Sequence, residues 1–318
     1  MTVSSTINID MQTITSGLSC IDANFMGYPR VIAAAVLQSH SGVAVIDPGP
    51  TTCLETIRAS LGRHGVTIRD VRAILLTHIH LDHAGATGSL VRENPDISVY
   101  VHELGARHMV DPEKLLASAG RLYGDEMDQL FGEFAPVPEG NIRSLTGGES
   151  IDVLDRRFDV EYLPGHASHH VGYFDKLSGV AFIGDTAGIR LSKELFATPP
   201  TPPPDIDVEA WVESVRLIRR RQPSMLFTTH FGPYEDVDAH LDAFLEHLAA
   251  AKMLAHTILT GEGSADEKVA AFVTEMRLYI QRFVPQQQVS LFDGAPLGPL
   301  ALGWLGLRRY WRKQGLEG

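Results

Sequence analysis

A short stretch of the chain, Thr77-His78-Ile79-His80-Leu81-Asp82-His83, concentrates side chains that bind metal ions. Three histidines and one aspartate fall within six residues, directly after the apolar run Val71–Leu76. That run predicts a buried strand, so the ligands would follow its end, held by a rigid element and open to solvent. Imidazole and carboxylate are ligands that zinc, iron and manganese accept.

The spacing within this stretch divides its ligands into two groups. In an extended segment successive side chains alternate, so His78 and His80 face the same side. Asp82 and His83 then turn toward a second position. A chance cluster of surface histidines is the alternative, since the chain has 14 of them. Four metal-binding side chains directly after a buried strand are improbable by accident, so the stretch predicts a metal site.

The His-x-His-x-Asp-His pattern resembles the signature of the metallo-β-lactamase superfamily, and four further motifs accompany it in that family's order. These four are Asp47 after Val45-Ile46, His166 in Leu163-Pro164-Gly165-His166, Asp185 in Phe182-Ile183-Gly184-Asp185-Thr186, and His230 in Leu226-Phe227-Thr228-Thr229-His230. Any one of the four would be weak alone. Together the five motifs cover residues 45–230, and their order makes the resemblance specific.

The resemblance implies a metallohydrolase with two divalent ions, zinc as the first expectation and iron or manganese as alternatives. The first ion would be held by His78, His80 and His166, the second by Asp82, His83 and His230, and both by Asp185. A hydroxide bridging the ions would attack a substrate carbonyl, and the ions would stabilise the resulting oxyanion. Asp82 would orient that hydroxide by accepting a hydrogen bond.

Departures from individual branches of the family indicate which branch the chain resembles. The β-lactamases with a Cys ligand place it where Asp185 stands, and the other lactamase classes lack the bridging aspartate. Glyoxalase II-like thioesterases and acyl-homoserine-lactone-type lactonases keep it. The sequence after Asp185, Thr186-Ala187-Gly188-Ile189-Arg190, differs from the Gly-Cys-Gly-Arg-type loop of glyoxalase II. The chain is therefore most similar to glyoxalase II-like hydrolases acting on a small thioester, ester or lactone, without an assigned glutathione contact.

Further residues around the motifs would support the metal site or contact substrate. Asp47 would not be a ligand and is expected to tie the metal loop to the first sheet. The other candidates are His169, His170, Tyr173, Arg190 and Tyr234. For His169 and His170 the alternative is a structural histidine at the start of a strand. Tyr173 alternates with Val171 along a strand, so its side chain could instead point away from the site.

Alternating apolar runs and amphipathic segments predict an α/β fold, and the resemblance implies a four-layer αββα metallo-β-lactamase sandwich. Strands are predicted at Val31–Leu37, Val43–Ile46, Val71–Thr77, Ser98–Val101, Phe158–Leu163, Val171–Phe174, Val180–Ile183 and Met225–Thr229. Helices are predicted at Thr51–His64 with a Thr cap, at Asp207–Arg221, and over most of Pro112–Phe134. The last segment is either core packing or a lid over the site.

The character of the sequence changes near residue 236. Long helical patterns cover Val237–Thr260, Asp266–Phe283 and Leu300–Lys313, so we expect a catalytic domain over residues 1–236 and a helical C-terminal extension over residues 237–318. The third pattern is basic on one side, which fits either docking on its own domain or a membrane surface, and its short length favours docking. Five prolines in Ala197–Asp205 predict an extended connector.

Composition narrows the class of partner. The chain of 318 residues carries 27 Lys and Arg against 39 Asp and Glu, a net charge of −12, which disfavours nucleic acid. No apolar run reaches the length of a membrane helix, and Cys20 and Cys53 are too few for a disulfide scaffold. Without basic or apolar signal-peptide features at the N-terminus, we expect a cytoplasmic enzyme. Its partners would be a small-molecule substrate and, from the family context, a second copy in a homodimer.

Other functions of the same fold stay open as alternatives. A mononuclear iron persulfide dioxygenase would share the fold, because protein ligands alone do not fix the metal. Diiron flavoproteins usually have Glu where His80 stands and carry a flavin domain. A nuclease would need a basic groove. A non-catalytic binding protein would be expected to lack a ligand, and none is missing.

Overall fold

The computed structural model of the protein describes residues 10–294 and 299–316. Two mixed β-sheets and their helices form an α/β fold with a helical C-terminal region. The chain divides into two compact units. The first contains the described residues up to Glu161 together with Tyr173–Ser178, and the second contains Tyr162–Gly172 and the chain from Gly179 onward.

The first sheet has seven strands that follow one another in chain order. They are β1 (Gln12–Thr15), β2 (Leu18–Asp22), β3 (Ala33–Ser39), β4 (Gly42–Ile46), β5 (Val71–Leu75), β6 (Ser98–His102) and β7 (Ile142–Leu145). The first four pair antiparallel, whereas β4 to β7 run parallel. Strands β3 to β5 are mostly buried and rich in Ala, Val, Ile and Leu, as expected for strands covered on both faces.

Parallel pairing of β4 with β5 places the loops that follow them at one edge of the first sheet. Ile46 pairs with Leu75, and Asp47 comes directly after β4. The histidine-rich stretch begins two residues after β5. Loops at the carboxyl ends of parallel strands are the usual place for functional residues in α/β folds, because the strands hold them rigidly side by side.

The second sheet has five strands in the order β12-β11-β10-β9-β8. They are β8 (Ser150–Val153), β9 (Arg156–Tyr162), β10 (Val171–Asp175), β11 (Val180–Phe182) and β12 (Met225–Phe227). In the second unit β11 and β12 pair parallel, Phe182 with Phe227. Their carboxyl ends therefore lie together, and Asp185 and His230 both follow at that edge.

The helices of the two units are as follows. In the first unit they are α1 (Leu54–Arg63), α2 (Leu81–Ala84), α3 (Thr87–Glu93), α4 (Glu103–Val110), α5 (Glu113–Tyr123) and α6 (Met127–Phe131). In the second unit they are α7 (Val208–Arg221), α8 (Val237–Thr260), α9 (Ala265–Ile280) and α10 (Leu300–Lys313). Helix α7 begins at Asp207, whose side chain accepts the Ala210 N–H, and α9 begins with a capping box between Ser264 and Glu267.

The last helix packs on the other helices of its own unit. The ring of Trp304 lies 5.5 Å from that of Phe272 on α9, and Trp311 Nε1 donates to Lys252 O on α8. The Tyr310 hydroxyl bonds to the Glu209 carboxylate on α7. The predicted docking of this segment is thus confirmed. The division of the chain at residue 236 stays a prediction.

The structure corrects several details of the sequence-based elements. Strands β1, β2, β7 and β8 were not predicted, because they are short and interleave polar residues with apolar ones. The predicted Thr cap at Thr51 is wrong, since α1 has Cys53 at its N-cap without a side-chain bond. Thr51 Oγ1 instead donates to Glu133 O at 2.6 Å and lies 3.1 Å from Gly85 O.

The segment predicted as core or lid is mostly helical. Its α6 end is in the core, where Leu130 and Phe131 are buried and Leu130 O accepts from Thr52 Oγ1. Along α5 only Ala119 is buried.

In the described part of the chain, no helix is both long enough and apolar enough to cross a bilayer.

A substitution at Gly88 can test how tightly the core of the first unit is packed. A Cβ at Gly88 in α3 would lie 1.9 Å from Ala135 O. We expect Gly88→Ala to destabilise the fold by about 1–3 kcal/mol, because the backbone must move to make room. Gly62→Ala in α1 is the control: a Cβ there meets nothing within 4 Å, and a gain of about 0.5–1 kcal/mol is expected. Urea unfolding measures both, and equal stabilities would contradict the packing.

Candidate metal centre

A single buried carboxylate organises the histidine-rich loop of the first unit. Asp47 Oδ1 accepts the Thr77 N–H at 2.8 Å, and Oδ2 accepts the Thr77 hydroxyl at 2.6 Å. His83 Nδ1 lies 3.0 Å from the same Oδ2. A carboxylate only accepts, so His83 Nδ1 carries the proton and donates. Asp47 therefore joins the loop after β4 to the loop after β5.

The same carboxylate also fixes the tautomer of His78 through Thr77. His78 Nδ1 lies 3.1 Å from Thr77 Oγ1, whose one hydrogen is donated to Asp47. The hydroxyl must then accept from His78 Nδ1–H. Both His78 and His83 consequently present Nε2 as the nitrogen that can bind a metal, the arrangement expected of metal ligands whose other ring nitrogen is anchored.

The ligand atoms of the first unit form two pairs. His78 Nε2 and His80 Nδ1 are 3.1 Å apart, and Asp82 Oδ2 and His83 Nε2 are 3.7 Å apart. Ligand bonds of about 2.0–2.2 Å at a tetrahedral angle would place two donor atoms about 3.3–3.6 Å apart. The two observed separations are close to that range. Asp82 is half-buried, whereas His78 and His83 are fully buried.

Asp185 is the centre of the ligand group in the second unit. Its Oδ2 lies 3.4 Å from His166 Nε2, and its Oδ1 lies 3.7 Å from His230 Nε2. All three side chains are buried. The two carboxylate oxygens thus face two different imidazole nitrogens, at separations close to those of donor atoms that share a metal ion.

His166 is anchored through its other ring nitrogen. Nδ1 lies 2.8 Å from the carbonyl oxygen of Pro200, which only accepts, so Nδ1 carries the proton. This selects Nε2 as the metal-binding nitrogen. The donor set of the described residues, imidazole nitrogens and carboxylate oxygens, suits divalent metal ions.

The loop that carries Asp185 is held by side chains of its own unit. The Asp185 N–H donates to His170 Nε2 at 3.2 Å, and His170 Nδ1 lies 3.3 Å from Thr186 Oγ1. Trp211 Nε1 donates to Thr186 O at 2.7 Å. His170 therefore orients the backbone at the ligand. His169, the residue before His170, is also buried.

Tyr173 is a core residue. Its side chain is fully buried, and its hydroxyl donates to Leu76 O at 2.8 Å, at the end of β5. The ring packs edge-on against Phe158 at 6.5 Å. Of the alternatives that the sequence left open for Tyr173, this burial favours a structural role over contact with substrate. Its bond to Leu76 lies one residue before Thr77, where it supports the start of the ligand loop.

Arg190 is buried and forms a cluster with the half-buried Tyr234 and the exposed Asp236. Arg190 Nη1 donates to both oxygens of Asp236 at 2.9 Å, and Tyr234 donates to the Arg190 carbonyl. The guanidinium lies over the Tyr234 ring, 4.2 Å from its centroid. Although burial opposes ionisation, the Arg190 bonds lower the pKa of Asp236. The Arg190 backbone N–H also donates to His230 O at 2.7 Å, so of the two predicted roles, supporting the site or contacting substrate, these bonds favour the first.

Four residues that the sequence did not single out support the ligands. The Thr77 hydroxyl donates to Asp47 and accepts from His78. Its position next to the histidines in the sequence could have indicated this role. The others act through backbone atoms far away in sequence, so no local signal marks them. They are Pro200 on His166, Trp211 on Thr186, and His240, whose Nε2 donates to Ala187 O at 2.9 Å.

Comparison with known proteins identifies the family. The sequence profile of the metallo-beta-lactamase superfamily matches residues 27–230. The chain belongs to the metallo-beta-lactamase superfamily. A crystal structure of a metallo-beta-lactamase family protein from Thermus thermophilus superposes with a TM-score of 0.71 over 95% of both chains. At 22% identity this likeness shows the fold alone.

Curated relatives extend the similarity to sequence. A metallo-beta-lactamase fold-containing protein of Sulfurisphaera tokodaii is 25% identical over 68% of this chain and 78% of its own length. A hydroxyacylglutathione hydrolase of Thermosynechococcus vestitus is 32% identical over 45% of this chain. That alignment spans 43% of the hydrolase, less than half of its length.

The buried His240 should make stability depend on pH. Burial, together with Arg190, lowers its pKa from 6.5 to about 4, and the bond to Ala187 only partly opposes this. The unfolded chain therefore binds a proton between pH 6.5 and 4 that the folded chain does not. Stability is full above pH 6.5 and falls by about 3 kcal/mol as the pH drops to 4.

His240→Gln should remove this pH-dependent loss, because an amide can still donate to Ala187 O but does not titrate. Urea unfolding at pH 7 and pH 4 measures the difference, with exposed His40→Gln as the control for removing one histidine. Equal acid destabilisation of the wild type and His240→Gln would show that His240 does not carry this dependence.

Proposed function

We propose that the protein is a dinuclear metal-dependent hydrolase that cleaves a small thioester, ester or lactone. The observation that carries this proposal is the Asp185 carboxylate, whose two oxygens face His166 Nε2 and His230 Nε2 at 3.4 and 3.7 Å. A carboxylate between two imidazoles in this way suits a bridge between two cations. A site for one ion would use only one of these pairs.

The four donor pairs divide naturally between two metal ions. We assign His78, His80 and His166 to the first ion, Asp82, His83 and His230 to the second, and Asp185 to both. Each ion then has four protein ligands from two pairs, a number typical of zinc. Zinc is our first assignment, with iron or manganese as alternatives that accept the same ligand types.

When bound, two divalent ions lower the pKa of a shared water and stabilise negative charge that develops on a substrate carbonyl. The residues contribute orientation. Asp47 holds His78 and His83 in the required tautomers, and His170 holds the Asp185 backbone. Asp82 is the most exposed of the ligand carboxylates, at 31% of its side chain, and can accept a hydrogen bond from the attacking water.

The cysteines are unsuited to nucleophilic catalysis. Burial raises the pKa of both Cys20 and Cys53 to about 12, so neither forms the thiolate that attack requires. Among the three substrate classes we place thioesters first, because hydroxyacylglutathione hydrolases are among the relatives of the chain. A small-molecule substrate, rather than nucleic acid, also fits the net charge of −12.

Initial-rate hydrolysis by the metal-loaded chain tests the reaction. The panel contains S-lactoylglutathione, an acyl-homoserine lactone, an aryl ester and a chromogenic β-lactam. We expect Asp185→Asn to keep the fold but lose at least about 100-fold in kcat, because a neutral amide cannot bridge two cations. Asp238→Asn, an exposed carboxylate on α8, is the matched control and should retain wild-type rates.

Full activity of Asp185→Asn would refute the two-metal assignment. Weak hydrolysis of every substrate by the wild type, together with bound iron and oxygen uptake on a persulfide, would replace the proposal with the dioxygenase reaction of the same fold.

Metal content tests the second ion separately. His230→Ala removes one ligand of the second ion and leaves the three histidines assigned to the first. We expect about one metal equivalent per chain after gel filtration, against two for the wild type, measured by elemental analysis. His64→Ala, a partly exposed histidine of the first unit, controls for nonspecific binding. Two equivalents in His230→Ala would show that His230 is not a ligand.

A further inference from the structure

The proline connector of the second unit, Ala197–Asp205, is held in place by individual contacts. Ala197, Thr198 and Thr201 are buried. Thr198 pairs with Ile189 through two backbone hydrogen bonds of 2.9 Å each. Proline supplies no backbone donor, so the connector cannot be held by a regular ladder and depends on such individual contacts.

On one side the connector contacts a metal ligand. Pro200 O accepts from His166 Nδ1 at 2.8 Å, the bond that selects the His166 tautomer. The next residue of the connector, Thr201, contacts α10. Thr201 Oγ1 donates to Gly303 O at 3.2 Å. Adjacent residues of an extended chain thus connect His166 with the last helix.

Helix α10 approaches the connector through glycines. Gly303 and Gly306 are three residues apart and lie on one face of the helix. A Cβ at Gly306 would lie 2.0 Å from Thr201 O, a backbone atom, and one at Gly303 would lie 3.0 Å from Thr201 Oγ1. Farther along, Arg309 Nε donates to Pro204 O at 3.1 Å.

The opposite faces of α10 are held by other helices, so the helix cannot easily retreat from the connector. Trp304 is buried against Phe272, Trp311 donates to Lys252 O, and Tyr310 bonds to Glu209. A group added between α10 and Thr201 would therefore displace the connector at least as readily as the helix.

We propose that α10 is a positioning element for the metal ligand His166, acting through Gly306, Thr201 and Pro200. The close approach at Gly306 holds the connector so that the Pro200 carbonyl lies where His166 Nδ1–H donates to it. This inference rests on the proposed metal centre, and it assigns the C-terminal helix a role in that centre besides packing.

The substitution Gly306→Ala tests this role. We expect chelator competition to show a 10–100-fold weaker affinity for zinc, the usual cost of disturbing the partner of a metal-binding histidine. A second readout uses the metal-free full-length chain. Ring-nitrogen NMR should show His166 protonated at Nδ1 in the wild type and a mixture of tautomers in Gly306→Ala, with the signals assigned by their loss in His166→Asn.

The controls separate positioning from general destabilisation. Gly120→Ala in α5 adds the same methyl where nothing lies within 4 Å, so zinc affinity and tautomer should stay as in the wild type. Gly88→Ala destabilises the first unit instead and should leave the His166 tautomer unchanged. If Gly306→Ala does not fold, Thr201→Val replaces it, because it removes the bond to Gly303 O without crowding and should shift both readouts less strongly.

The two readouts distinguish the possible failures. A folded Gly306→Ala, or Thr201→Val in its place, with wild-type zinc affinity and tautomer would overturn the role of α10. A wild-type chain that binds no zinc, manganese or iron would overturn the proposed function, whereas the tautomer comparison would still decide whether α10 controls His166.

Discussion

The Asp47 carboxylate is the constraint on which the ligand loop of the first unit depends. It lies at the end of β4, has a positive φ of 48°, and accepts from the Thr77 backbone, the Thr77 hydroxyl and His83. Aspartate tolerates that conformation better than most residues. One side chain thus satisfies three donors and sets the tautomers of two histidines, so the chemistry of the loop follows from a contact outside the histidine motif itself.

In the second unit, the candidate ligand side chains and their loop are held mainly through backbone groups. Parallel pairing of β11 with β12 brings Asp185 and His230 to one edge, and this fixes their positions but not their orientations. The loop that follows Asp185 is oriented by His170 on the Asp185 N–H, Trp211 on Thr186 O and His240 on Ala187 O. Since buried carbonyls need donors, these bonds satisfy the loop and rigidify it together.

The sequence alone predicted what is local and could not predict what is distant. Strands such as Val43–Ile46, helices such as Val237–Thr260, and the ligand motifs follow from apolar periodicity and residue types within a few positions. The polar edge strand Gln12–Thr15 lacks that periodicity. Neither the Pro200 carbonyl on His166 nor the ion pair of Arg190 with Asp236 leaves a trace in local sequence, because each joins segments more than 30 residues apart.

The difference between local ligand motifs and distant supporting contacts explains why the sequence identifies the family more readily than the substrate. The candidate ligands follow strand ends, which the fold itself requires, whereas the groups that contact His166 and the Asp185 loop come from the connector and α8. Helices packed mainly on one another can change in sequence without disturbing the strand edges. A chain with the same candidate ligands and a different helical tail would hold His166 and the Asp185 loop differently, because the Pro200 carbonyl and His240 that contact them lie outside the strand edges.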